Sequence, residues 1–238
     1  MLAVIGGTGF YSLGSRIAER DVVTPYGVAN LKIVDVAGDK VVFVPRHGRA
    51  HTLAPHRINY RANIAALEKV GVTGVIAFYA SGIISKYKPG DLVLVDDFIG
   101  LWTPATFYDD FSGGMKHVDF TEPFSKDMKR MLEEAAAVTK TKLKKGGVMA
   151  ATRGPRFETQ SEVKLLKKVG ANLVNMTCGY EMALLGESEI DFAAVAIGSN
   201  YAAGISKKPL SMEDALEVSN KAQGNIITLV QRFVKEVV

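Results

Sequence analysis

The feature that most constrains this chain is a series of short apolar runs that fail to alternate. Segments 2–5, 74–80, 92–95, 147–151 and 192–197 are continuous, or nearly so, in Val, Ile, Leu and Ala. A strand with one wet face alternates apolar and polar residues, whereas an unbroken run implies burial on both faces. Runs at 31–36, 41–44 and 173–176 extend the set, and Ala37-Gly38-Asp39-Lys40 reads as a hairpin turn between the first two of these. A sheet buried on both faces needs helices to cover it, and the sequence supplies them. Segment 59–70 aligns Ile64, Leu67 and Val70, and segment 125–138 carries Met128, Met131, Leu132 and Ala135. Thr159-Gln160-Ser161-Glu162 reads as a capping box opening a helix to Val169, which Gly170 ends. Ser211 caps a long final helix running to about Val237. A β-hairpin followed by a βαβαβα order predicts an α/β fold with a mixed, twisted central sheet flanked by helices, in a single domain over residues 1–238.

Composition narrows the partners. With 47% hydrophobic and 23% charged residues, the chain reads as an ordinary soluble globular protein. Its longest apolar region, 70–84, is broken by Gly, Thr and Ser and is too short for a membrane span. Residues 1–6 have no basic flank and run into glycines, unlike a secretory signal. One cysteine, Cys178, excludes an internal disulfide framework and fits a reducing cytoplasm. The net charge of +4 comes from scattered residues, and the runs at 140–145 and 164–168 read as solvated faces beside helices. That argues against nucleic acid and leaves small anions.

Two loops could hold such an anion. Gly6-Gly7-Thr8-Gly9 follows the first strand, where glycines permit close backbone approach and the Thr8 hydroxyl adds a donor. The rival readings are a plain tight turn and a dinucleotide fingerprint, although Ser12 stands where the fingerprint needs a third glycine. Pro45-Arg46-His47-Gly48 offers a planar guanidinium matched to phosphate oxygens and a further donor from His47, or simply an exposed turn. His47, His51 and His56 raise a metal site, but no cysteine pair completes it and Pro55 interrupts the spacing. Further along, Glu158 and Asn200 each follow a strand-like run and could read a purine edge, Glu158 as acceptor only and Asn200 as both donor and acceptor.

The ordered set of Gly-Gly-Thr-Gly, Arg46-His47-Gly48, Gly154-Pro155-Arg156-Phe157-Glu158-Thr159, Asn175-Met176-Thr177 and Ser199-Asn200-Tyr201 resembles the trimeric purine nucleoside phosphorylase and methylthioadenosine phosphorylase family. The resemblance spans essentially the whole chain and implies a nucleoside phosphorylase-like fold. It implies cleavage of purine nucleosides by inorganic phosphate to a free base and a ribose 1-phosphate, with no metal or organic cofactor. By position, Thr8, Arg46, His47 and Thr177 match phosphate-binding residues, with the backbone around Ala80 close by. Met176 matches the methionine under the ribose, and Phe157 the aromatic that stacks on the base. His117 aligns with a residue reaching a neighbouring subunit's sugar pocket, so the resemblance implies a homotrimer, or a hexamer of two trimers, with shared sites. Tyr79 stands where the family has Ser or Thr as a phosphate ligand; either its side chain reaches phosphate differently or Ser81 and backbone take over.

Substrate choice rests on the base edge. Asn200 serves the departing base, but an amide can flip to suit an oxo or an amino purine. Glu158 discriminates, because a carboxylate accepts from the N1–H of hypoxanthine or guanine and faces a bare lone pair in adenine. The adenine-directed branch has Asp at positions 200 and 202, where this chain has Asn200 and Ala202. Leu210-Ser211-Met212 replaces the histidine that meets a 5′-hydroxyl in the ordinary branch. The expectation is a 6-oxopurine nucleoside phosphorylase of purine salvage acting on inosine, guanosine or 5′-methylthioinosine, with Met212 either lining the 5′ end or filling the helix core. A methylthioadenosine phosphorylase, an NAD-binding oxidoreductase and a non-catalytic nucleoside-binding protein are the alternatives.

Overall fold

Strand β1 (Leu2–Gly6) displays the two-sided burial that its composition demands. Ala3 and Ile5 enter one core while Leu2 and Val4 enter the other. The computed structural model describes residues 1–237. After β1 come β2 (Ser15–Thr24), β3 (Gly27–Val36), β4 (Asp39–Pro45), helix α1 (Tyr60–Lys69), β5 (Gly74–Ile83) and β6 (Leu92–Ile99). There follow α2 (Lys126–Thr139), β7 (Leu143–Ala151), α3 (Gln160–Lys168), β8 (Leu173–Asn175), α4 (Cys178–Glu187), β9 (Asp191–Tyr201) and α5 (Met212–Val237).

The sheet is mixed, as expected, and runs β2-β3-β4-β1-β5-β8-β7-β6-β9. Its far end does not stay open. β9 pairs with β6 on one side and with β5 on the other, so β5, β8, β7, β6 and β9 close into a five-stranded ring. Helices α1 and α4 cover one face and α2 and α5 the other. The outer face of the ring near Ile84 and Val174 is covered by Val163 and Leu166 of α3.

Two elements go beyond the sequence expectation. β2 is an edge strand exposed along most of its length, so its Arg-, Glu- and Asp-rich sequence carries no apolar period. Helix α4 is buried nearly all round, which erases the one-sided pattern that marks an ordinary surface helix. The hairpin turn is also tighter than the four residues expected. Val36 pairs with Asp39, leaving Ala37 (φ 59°) and Gly38 (φ 99°) as a two-residue turn, and Asp39 and Lys40 belong to β4. The 140–145 run lies at the end of α2 and the start of β7, with Lys140, Lys142, Lys144 and Lys145 exposed.

The capping box forms as expected. Glu162 N donates to Thr159 Oγ1 at 3.2 Å, and Thr159 N donates to Glu162 Oε2 at 2.7 Å. The Arg156 guanidinium, followed by that Thr159 N–H, holds the Glu162 carboxyl at about 2 instead of 4.5. Because this folded-state value is depressed, the contribution is complete above about pH 4.5 and is lost as pH falls toward 2. Thr159→Ala is expected to cost about 1 kcal/mol in urea unfolding at pH 7.

Candidate active site

Parallel pairing brings the two candidate anion-binding loops together. β1 and β4 run side by side with Gly6 opposite Pro45, so the residues that follow each strand emerge at the same end. Arg46 N donates to Gly6 O at 2.9 Å, which joins the Thr8 turn to the Arg46-His47 turn. β5 lies on the other side of β1 and brings Ala80. Asn175, at the end of β8, then ties in α4. Its Nδ2 donates to Ala80 O at 2.8 Å, and its Oδ1 accepts from Thr177 N (2.7 Å), Thr177 Oγ1 (2.9 Å) and Cys178 N (2.9 Å). Asn175 therefore holds Thr177 and the amino end of α4 in place.

A cavity of about 320 Å³ opens above these strand ends. Thr8, Arg46, His47, Ala80 and Thr177 line it, and so do Phe157, Glu158, Met176, Asn200 and Met212. His117 does not. It sits exposed on the 102–118 loop with its ring against Phe111, 5.6 Å between centroids.

Arg46 is the most constrained side chain of the group. It is 2% exposed, and its Nε and Nη2 donate to the two oxygens of Glu181 at 2.7 and 2.8 Å. Nη1 donates to Phe78 O at 2.8 Å. Of five guanidinium N–H groups, two remain for a ligand. Burial works against the charge, but the Glu181 carboxylate outweighs it and raises the guanidinium above its ordinary value. The glycine at position 7 answers a spatial demand, since a Cβ there would lie 2.5 Å from Arg46 Nη1. Tyr79 does not line the cavity. Its ring lies beneath the guanidinium, 4.4 Å from centroid to Cζ. Ser81 turns its hydroxyl back to Tyr79 O at 3.0 Å. Of Tyr79, Ala80 and Ser81, Ala80 lines the cavity.

His47 directs Nδ1 to Leu53 O at 2.7 Å, while Nε2 lies near Gly7, 3.5 Å from the Cβ position there. Burial, opposed by the Leu53 carbonyl and reinforced by the Arg46 charge, lowers its pKa below 6.5. The neutral ring therefore spends its N–H on Leu53 and offers a lone pair at Nε2, a correction to the expectation of a free donor. His51 sits tilted against Tyr11, 4.0 Å between centroids and 36° between planes.

At the other end, the β5–β9 pairing sets Gly82 opposite Asn200, just past an irregularity in register after Ser81. Asn200 Nδ2 donates to Tyr201 O at 3.0 Å, and Oδ1 accepts from Ser199 Oγ at 2.7 Å. Tyr201 O can only accept, so it draws Nδ2 toward itself and leaves Oδ1 on the Ser199 side. Glu158 is 8% exposed and accepts from Thr152 Oγ1 at 2.6 Å through Oε1, which leaves Oε2 for a ligand. Met176 packs under the Gly154 loop, its Sδ 2.6 Å from where a Cβ on Gly154 would stand. Leu210, Met212 and Ala215 give a third, apolar stretch of wall beside Pro55, and Met212 remains 45% exposed. Sequence reasoning missed Glu181, Thr152 and the orienting Ser199. The available signal for Glu181 was a lone carboxylate inside the apolar Cys178–Leu185 stretch.

After β1 and the Gly7-Thr8-Gly9 turn the chain enters strand β2, whereas a dinucleotide fingerprint opens a helix. The profile of the Phosphorylase superfamily matches residues 2–235. The chain belongs to this superfamily. Among relatives of this phosphorylase-superfamily chain, a probable 6-oxopurine nucleoside phosphorylase of Moorella thermoacetica is 40% identical, over 98% of this chain and 92% of the relative. A probable S-methyl-5′-thioinosine phosphorylase of Methanopyrus kandleri is 39% identical, over 98% and 91%. The methylthioadenosine phosphorylase of Schistosoma mansoni in complex with adenine superposes with a TM-score of 0.91 at 27% identity, covering 99% of this chain and 91% of that one. No helix among the described residues is long and apolar enough to cross a membrane.

Proposed function

We propose that this superfamily member cleaves 6-oxopurine nucleosides by phosphorolysis, with 5′-methylthioinosine among its substrates beside inosine and guanosine. The observation that carries the reading is Glu158, an acceptor-only group held by Thr152 at one end of a cavity whose other end is an anion cradle. The names of the two curated relatives agree with this base preference. In this reaction a phosphate oxygen bonds to C1′ as the C1′–N9 bond breaks, and the bond's electron pair leaves with the purine. The two remaining Arg46 N–H groups and Thr8 hold the nucleophile, joined by Thr177 when its hydroxyl proton turns from Asn175 Oδ1 to a phosphate oxygen. The phosphate gives up its proton as the ester forms and the departing base takes one up at N7; Asn200 keeps an Oδ1 lone pair to accept from that N7–H and one Nδ2–H to donate to O6, relieving charge on the base. Phe157 stacks on the purine and Met176 underlies the ribose. The apolar wall of Leu210, Met212 and Ala215 suits a methylthio group, since a 5′-hydroxyl would lack a partner there.

The same reading needs phosphate as co-substrate and no other cofactor. It places the enzyme in purine salvage in the cytoplasm, and it has His117 completing the sugar site of a neighbouring copy in a trimer or hexamer. Incubation with inosine, guanosine, methylthioinosine and methylthioadenosine, with and without phosphate, tests it. Hypoxanthine and guanine are expected only when phosphate is present. Rapid release of adenine with little hypoxanthine would reverse the base assignment, in line with the adenine-bound structural neighbour.

His47 adds a pH dependence. Its neutral Nε2 lone pair would repel a bare oxyanion, so one proton must lie between that nitrogen and a phosphate oxygen. The phosphate KM is expected to rise above neutral pH, approaching about tenfold per unit for one linked proton. In His47→Gln the slope should flatten; an unchanged slope would remove His47 from the phosphate site.

A further inference from the structure

We propose that Glu181 is the positioning residue of the phosphate end: it never meets substrate, but it selects which edge of Arg46 does. The inference rests on the phosphorolysis reading, in which Arg46 binds phosphate. A guanidinium offers an anion either its Nε/Nη2 side or its Nη1/Nη2 end, and both are good bidentate edges. Glu181 takes the first, through bonds of 2.7 and 2.8 Å from Nε and Nη2. Phe78 O takes one Nη1 proton, the Tyr79 ring supports one face of the plane, and Gly7 leaves room for Nη1 where any Cβ would intrude. One Nη1–H and one Nη2–H are all that remain.

Stability alone gives no reason for this carboxylate. Glu181 is 1% exposed on an otherwise apolar stretch of α4, beside the fully buried Met182, Leu184 and Leu185. A buried ion pair of this kind is commonly no more stable than a well-packed apolar pair. A site built on it gains a fixed geometry instead. Gln at 181 would retain one acceptor and turn an amide N–H₂ toward the fork. Asp would keep the charge but withdraw it by one methylene, letting Arg46 rotate. The pairing also offsets the arginine charge, so a phosphate ester product meets a cradle of moderate strength and can leave.

The test compares the full-length wild type with Glu181→Asp and Glu181→Gln in two measurements. Binding of inorganic phosphate is read by titration calorimetry, which needs no turnover, and steady-state kinetics separates the phosphate KM from the nucleoside KM. Thermal unfolding accompanies both, and Asp is the variant that retains a counter-charge if Gln fails to fold. Phosphate affinity is expected to fall about tenfold or more in Glu181→Asp, the scale of losing one charge-assisted bond. The phosphate KM should rise in parallel while the nucleoside KM stays within about threefold. Loss of thermal stability with phosphate affinity within about twofold of wild type would make Glu181 a structural counter-ion and overturn the proposal. If the wild type binds phosphate but cleaves no nucleoside, the phosphorolysis reading fails while calorimetry still decides the role of Glu181. If the wild type binds no phosphate, both fall.

Discussion

Arg46→Met is expected to abolish phosphate-dependent turnover and to lower the unfolding free energy by about 3–5 kcal/mol. The two losses have different origins. Activity is expected to disappear because the two N–H groups left over for the proposed phosphate are gone. Stability falls because Glu181, 1% exposed, is left as a buried carboxylate without its bidentate partner, and Phe78 O loses its donor. The double variant Arg46→Met, Glu181→Leu separates them. Replacing both charges with apolar groups should restore most of the stability, since the desolvation cost of the pair vanishes with it. It should restore none of the turnover. Urea unfolding and a phosphorolysis assay on both proteins check this; a single variant as stable as wild type would mean that the pair is not the closed unit described above.

Glu158→Gln comes second, with an expected loss of roughly a hundredfold in kcat/KM for inosine at near-normal stability. Thr152 donates to Oε1, and an amide oxygen can accept that bond as well, so the side chain keeps its anchor. The other atom then becomes N–H₂ and confronts N1–H of the oxopurine, donor against donor in a buried setting. For an adenine nucleoside the same N–H₂ meets a lone pair, so methylthioadenosine should lose less or gain. Turnover ratios for methylthioinosine and methylthioadenosine measure the change. An unchanged ratio would show that Glu158 does not face the base.

The mixed sheet and its covering helices were legible because strands such as β1 and β5 are apolar on both faces, a pattern only a sandwiched strand produces. Residues whose chemistry points into the cavity were legible as well: Thr8, Arg46, His47, Glu158 and Asn200 announce their groups in sequence. What sequence hid was the layer behind them. Glu181 lies 135 positions from Arg46, and nothing local marks that distance as a contact. Tyr79 stands where the resemblance implies a Ser or Thr phosphate ligand, yet strand alternation turns it away from the side of Ala80, and it supports Arg46 from beneath. Strand β2 was hidden for a simpler reason, being an edge that buries too little to need a pattern.

The closed ring of β5, β8, β7, β6 and β9 ties survival of the fold to survival of the cavity. Ala80 and Gly82 on β5 and Ser199 and Asn200 on β9 straddle the seam where the ring shuts. Local opening there cannot spare the pocket, whereas fraying of the β2–β3 ribbon leaves it whole. In amide hydrogen exchange, the β5–β9 seam should therefore belong to the slowest class and open only with global unfolding, while β2 exchanges early and at no cost to activity.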